Sequence, residues 1–146
     1  MLCFYLFFNN KKVMFMQYEG QCLYGRVILK TEQTCYEITA CHCLMYQKWN
    51  GYLLMRFIIE RGLSIEDKTN VSYCHFFAWL VQKFCNKCSH FFSKMFNPQS
   101  HYISVTLFEQ SQIAFLVTQF YIGCNPMYYK LIEEKALFTQ QHILNT

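Results

Sequence analysis

Charge is scarce in this chain. Asp, Glu, Lys and Arg make up 15% of its 146 residues, and the longest basic run is Lys11-Lys12. A dedicated DNA binder usually carries a basic stripe, and none is present. Long apolar runs are missing as well. No window reaches the roughly 18 uninterrupted apolar residues of a spanning helix. The closest, Ile113–Cys124, is interrupted by Thr118 and Gln119. Leu2–Phe8 is apolar but short for a secretory core, with no basic flank and no small-residue cleavage site. No Gly-rich loop ends in Gly-Lys-Ser or Gly-Lys-Thr, and no internal repeat or low-complexity tract occurs. Membrane insertion, secretion and P-loop nucleotide hydrolysis are not expected.

Aromatic residues and cysteines are abundant instead. Fifteen Phe and eleven Tyr supply ample core material, and some of that surface is expected to be covered by a partner. The nine cysteines are an odd number without disulfide-like spacing, which points to reduced thiols inside a cell. A net charge of +4 permits nucleic-acid contact without arguing for it. The length suits one domain or two small ones, at roughly 100–200 residues per domain.

Local patterns predict β-α-β-α-β over the first 62 residues. Leu2–Phe8 reads as a buried strand. Val13–Tyr18 reads as a short helix stopped by Gly20. A strand over Arg26–Lys30 follows, then an amphipathic helix over Tyr36–Trp49 ended by Gly51, then a strand over Tyr52–Ile59. Ser64–Asn70 is the most polar stretch and the expected linker. Beyond it, Val71, Cys74, Phe77, Ala78, Val81 and Phe84 recur at helical spacing, predicting a helix over Val71–Phe84. Phe91–Gln99 reads as a loop and Tyr102–Tyr121 as a helix. Asn125-Pro126 opens a last helix to about Phe138, with a frayed tail from Thr139.

Soft metal ligands bunch in one place. Cys85-Asn86-Lys87-Cys88 sets two thiolates three residues apart, a spacing that grips one tetrahedral ion. His90 follows closely, and twelve residues separate Cys88 from His101. Cys85, Cys88, His101 and His90 make the expected zinc set, with Cys74, His75 or Cys124 as alternatives to His90. Structural zinc uses four N/S ligands, and a polar loop with little core of its own gains from such a staple. The alternative is two ordinary buried thiols beside surface histidines. Cys41-His42-Cys43 is expected to pack, because alternate residues on a helix diverge. Cys74-His75 diverge likewise and make no nucleophile–base pair. Glu60, Glu66 and Asp67 do not aim at one point. No catalytic residue is expected, and the chain is expected not to be an enzyme.

Phe84-Cys85-Asn86-Lys87-Cys88 is similar to a Cys-x-Lys-Cys knuckle. His101-Tyr102, Leu107-Phe108, Ser111 and Gln119 are similar to the helix that follows that knuckle in the large T antigens of polyomaviruses. Upstream, Cys3-Phe4 with Lys11 and Lys12, then Val27-Ile28-Leu29, Ile38-Thr39-Ala40, Gln47-Lys48 and Leu53–Ile59, resemble strands and helices of that family's origin-binding domain. The order matches over most of the chain. The departures are several. The slot of the family's second DNA-reading loop, Gln33–Glu37, has no Arg or His and carries a carboxylate, which repels phosphate. Asn97-Pro98-Gln99-Ser100 stand where the family has its paired histidine ligands. The His-Pro-Asp signature and the helicase motifs are absent.

The resemblance implies an α+β protein. A truncated origin-binding-like lobe (1–63) and a linker (64–70) would precede a mostly α-helical zinc-binding and oligomerisation lobe (71–146). It implies a viral early, replication-initiator-type module in the host nucleus. Such a module would self-associate or join a related viral protein, with Phe91, Phe92, Met95 and Phe96 as contact residues. Lys11, Lys12, Arg26 and Lys30 would give weak, salt-sensitive contact with double-stranded DNA. The competing expectation is a zinc-stapled adaptor that docks a host protein without binding DNA.

Overall fold

The computed structural model describes residues 3–8, 11–33, 36–66, 68–77, 80–95, 100–131 and 136–144. In chain order the strands begin with β1 (Cys3–Phe8), β2 (Lys11–Met16), β3 (Tyr18–Gln21), β4 (Ile28–Thr31) and β5 (Glu37–Cys41). Helix α1 (Leu44–Asn50), β6 (Leu54–Ile59), β7 (Ser64–Glu66), β8 (Val71–Phe77) and β9 (Leu80–Cys85) follow. Then come β10 (Phe91–Met95), β11 (His101–Ser104), β12 (Phe115–Phe120), β13 (Ala136–Phe138) and α2 (Gln140–Leu144).

The strands make three sheets. β1 and β2 pair as an antiparallel hairpin. β3-β4-β7 form a small antiparallel sheet, and eight strands form a large one in the order β13-β12-β5-β6-β11-β10-β9-β8. Its pairings are antiparallel except that β12 runs parallel to both β5 and β13.

Alternation explains the small sheet. Along β3, Tyr18 and Gly20 are buried while Glu19 and Gln21 are exposed, the period-2 signature of a strand with one wet face. Its inner face meets one face of the large sheet. Tyr18, Val27 and Leu29 pack there with Phe57, Ile59, Ile103 and Phe108. Burying each such side chain contributes about 1.5–3 kcal/mol. Gly20 belongs to this contact, because a Cβ on it would lie 2.8 Å from the Leu107 carbonyl oxygen and 2.9 Å from the Phe108 ring. Helix α1 packs Tyr46 against Cys41 and Leu54 in a second cluster. Trp49 of α1 also meets the Phe84 ring edge-on, at 5.5 Å between ring centres.

The expected α+β class holds, but the mostly helical second lobe does not. Val71–Phe84 is the β8–β9 pair, and Tyr102–Tyr121 comprises β11, short 3-10 turns and β12. Val, Ile, Tyr, Phe and Thr recur in these strands, and such residues fit a pleated surface better than a helix. Where apolar residues occupy both faces, spacing alone does not separate helix from strand. Val13–Met16 lies in β2, and residues 18–21 form β3, so Gly20 sits in a strand and stops no helix. Tyr36–Trp49 divides into β5 and the shorter α1. The last predicted helix is absent over 125–131, and its 132–135 portion lies outside the described residues. The tail carries α2. The expected linker holds β7 and a 3-10 turn, and the large sheet takes strands from both sides of it.

Candidate metal centre

Three sulfurs meet where the two packed sheets meet. The Sγ atoms of Cys22, Cys85 and Cys88 all lie within 4.8 Å of one another. Tetrahedral zinc–thiolate geometry, with arms of about 2.3 Å, wants sulfurs about 3.8 Å apart. Small side-chain adjustments would therefore close the site on one ion.

Cys22 enters from the turn after β3. Its amide donates to the Val27 carbonyl at 3.0 Å, and Gly25 donates back to the Cys22 carbonyl at 2.8 Å. Gly25 has φ +72°, a left-handed conformation that glycine adopts without strain. The turn brings the Val27 amide to the Cys22 sulfur at 3.4 Å. Cys85 and Cys88 come from the end of β9 and the knuckle after it. The knuckle is anchored on both sides: Cys85 donates to the His90 carbonyl at 3.1 Å, Ser89 to the Cys85 carbonyl at 2.8 Å, and Asn86 to the Asn70 carbonyl at 2.8 Å. The Lys87 amide reaches the Cys85 sulfur at 3.4 Å.

The thiols are electrostatically unequal. Burial works to raise the Cys22 pKa, but the Val27 amide, Cys85, the Arg26 amide and Cys88 outweigh it, bringing it to about 7. Burial pushes Cys85 up, and its neighbours Cys22 and Cys88 add to that against the Lys87 and Cys88 amides. Cys22 therefore gives up its proton more readily than Cys85, and metal binding requires the deprotonated thiolate.

The predicted pair Cys85 and Cys88 is thus brought together, and the third member is Cys22, with neither histidine in the group. His90 contributes its backbone carbonyl to Cys85. His101 lies on β11, paired with Ile59 and Met95, and lines a neighbouring cleft. Cys22 lies far from the knuckle in sequence and carries no local ligand spacing; it joins the group only because β3 and β9 lie on facing sheets. Cys74 is half-buried on β8, outside the cluster.

Other sequence candidates resolve individually. Cys41 is buried beneath α1, as packing predicts, although it sits on a strand. His42 is buried and bonds Gln119 Oε1 through Nε2 at 2.9 Å and the Tyr129 hydroxyl through Nδ1 at 3.1 Å. Of the proposed DNA contacts, Lys11 and Lys12 lie on β2, and Arg26 is exposed in the Cys22 turn. Lys30 is held by Glu66 at 2.7 Å and Glu19 at 3.8 Å, which raise its pKa with Glu66 the main cause. Its charge is therefore already answered. Glu66 serves that bridge, Glu60 is exposed, and Asp67 and Glu133-Glu134 lie outside the described residues. Phe91, Phe92 and Met95 belong to β10, and Phe96 lies outside the described residues. Among the described residues, no helix is long and apolar enough to cross a membrane.

No family model matches the chain. It is 22% identical over 132 residues to a Schizosaccharomyces pombe protein named an uncharacterized lyase, covering 89% of this chain and 96% of that one. Its fold is similar to a crystal structure of a Rhodobacter sphaeroides protein, with TM-score 0.54 and 16% identity. That match covers 85% of this chain and 100% of the other. Neither is a large T antigen. The lyase name corrects the expectation of a non-enzymatic chain, because the similarity runs along almost the whole length of both proteins.

Proposed function

We propose that this chain is a zinc–thiolate enzyme of the lyase class, with one ion held by Cys22, Cys85 and Cys88. The convergence of three sulfurs from two sheets within 4.8 Å carries this reading, and the name of the yeast relative supports the enzyme class. An all-thiol set is soft and favours zinc over magnesium or calcium. The Val27 and Lys87 amides directed at sulfur favour the thiolate form that a metal requires. Three protein ligands leave a fourth tetrahedral position for water or a substrate heteroatom, the pattern of catalytic zinc rather than of closed four-ligand sites. When bound, the ion supplies Lewis-acid polarisation of an oxygen or sulfur. The chain's own part is to orient the thiolates, keep Cys22 and Cys85 away from water, and leave the half-buried Cys88 nearest to solvent.

Metal content tests it. Protein purified without chelator should contain about one zinc per chain. Cys22→Ser and the double variant Cys85→Ser/Cys88→Ser should lose most of it while keeping the far-UV spectrum of the wild type. Cadmium replacement should give a charge-transfer band of three thiolates, falling to two in Cys22→Ser. Zinc-free wild type, or full zinc in the triple serine variant, would refute the reading.

A further inference from the structure

Beside the sulfur cluster, a cleft of about 340 Å³ opens between β7 and the β8–β9 pair, lined by Leu63, Ser64, Ile65, Lys68, Val71, Tyr73, Lys83 and His101. Its walls are of two kinds. Leu63, Ile65, Val71 and Tyr73 are apolar or aromatic. Lys68, Lys83 and His101 carry or can carry positive charge, and among the described residues no carboxylate lines the cleft.

We propose that this cleft binds an organic anion with an oxyanion head and a short apolar body, the head held by Lys83 and Lys68. Lys83 is the principal cation of the cleft. It projects from β9 opposite Tyr73, and its ammonium lies 5.9 Å from the centre of that ring. The side chain is half-buried. Among the described residues, no carboxylate lies within 4.0 Å of Lys83 or Lys68, and the ion pairs there both belong to Lys30.

The groups facing one another are alike in sign. Lys83, Lys68 and His101 line the same cleft, so its two ammonium groups repel each other across it. A cation–π contact is worth about 0.5–2 kcal/mol, which is small against the several kcal/mol that partial desolvation of a charge costs. An anion in the cleft relieves both the repulsion and the missing counter-charge. The apolar wall then selects a ligand with a hydrophobic body over a bare inorganic ion. Ammonium groups act on oxyanions as point charges, so carboxylate and phosphate heads share this chemistry.

The cleft also has a placement that matters for the metal reading. Val71 lines it and pairs directly with Cys85 across β8 and β9. Lys83 and Cys85 lie two residues apart on one strand and share a face. An anion seated on Lys83 therefore lies next to the sulfur cluster. Its binding rests on the lysines and the apolar wall, and stands whether or not the cluster holds an ion.

The test is a melting experiment on the full chain at constant ionic strength, with chloride as the reference salt. Hexanoate, phenyl phosphate and inorganic phosphate are the probes. A ligand that binds only the folded protein raises its melting temperature saturably. Hexanoate or phenyl phosphate should do so, and the tighter of the two identifies the head group. Lys83→Met should weaken that response at least about tenfold, the effect of losing one principal charge contact. Lys68→Gln, an exposed position where substitution spares the fold, should weaken it about threefold. Lys83→Arg, which keeps the charge, should retain most of it. Zinc measured on the same samples separates the two sites, since the lysine variants should keep the metal content of the wild type. No saturable response, an equal response to inorganic phosphate, or a response unchanged in Lys83→Met would overturn the proposal. The last outcome would mean that the probe ligates metal directly.

Discussion

The guanidinium carbon of Arg56 lies 4.0 Å from the centre of the Tyr102 ring, with Phe120 on a second side at 5.4 Å. Its Nε donates to Thr39 Oγ1 at 3.1 Å. The residue is 6% exposed, and among the described residues no carboxylate pairs with it. Its stem and its charge therefore make opposite contributions. Arg56→Met keeps the packing and removes the desolvated charge, so its stability should fall within about 1 kcal/mol of wild type or exceed it. Arg56→Ala opens a void between two rings and should cost about 2–5 kcal/mol. Urea denaturation of the two variants decides; equal losses would mean that the charge itself stabilises the sheet.

Gly20→Ala should destabilise strongly for its size. The new methyl would press on the Leu107 carbonyl oxygen, which is backbone and does not swing aside. Overpacking of this kind costs about 1–3 kcal/mol, readable as a lower denaturation midpoint. A neutral result would mean that β3 and the Leu107 turn separate more easily than their contact suggests.

Acid should weaken the fold through His101. Burial, and secondarily Lys83, holds its pKa below the ordinary 6.5. The folded state then keeps the ring neutral where the unfolded chain already binds a proton. Stability from this group is complete above the unfolded pKa and is lost as pH falls through the lower folded value. His101→Gln should flatten the difference in denaturation midpoint between about pH 7 and about pH 5. An unchanged slope would assign the acid sensitivity to other groups.

Chelation should loosen the whole molecule rather than one loop. Cys22 belongs to the turn of the small sheet, while Cys85 and Cys88 belong to the large one. Ion binding across them is folding free energy, so a strong chelator should lower the melting temperature by on the order of 10 °C. Re-addition of zinc should restore it. A chelator-insensitive transition would show that core packing alone joins the sheets.

Some of this was readable from sequence and some was not, for physical reasons. Gly51 does end α1 in the left-handed conformation, because a glycine after a helical stretch is a local signal. Strands at Leu54–Ile59 and Ile28–Thr31 were legible from short β-branched runs. The strands β8, β9 and β12 were not, because aromatic and thiol residues on both faces erase the two-residue period. The knuckle Cys85-x-x-Cys88 was visible as a local spacing. Its partner Cys22 was not, since contact across two sheets leaves no mark in local spacing. The histidines looked like ligands because of their spacing from the knuckle; on β11, His101 lines the cleft instead.

The parallel pairing of β12 has a consequence for how the molecule is made. β5 is complete at Cys41, and the neighbour that covers its outer edge begins only at Phe115. During synthesis β5 can pair early with β6, while its other edge stays bare until Phe115–Phe120 has emerged. Uncovered strand edges invite pairing with foreign strands, and pairing of such distant segments is slow. A nascent chain stalled before Phe115 is thus a sticky species at β5, and the arrival of β12 covers that edge and passes the open one outward, to β12 and then to the short β13.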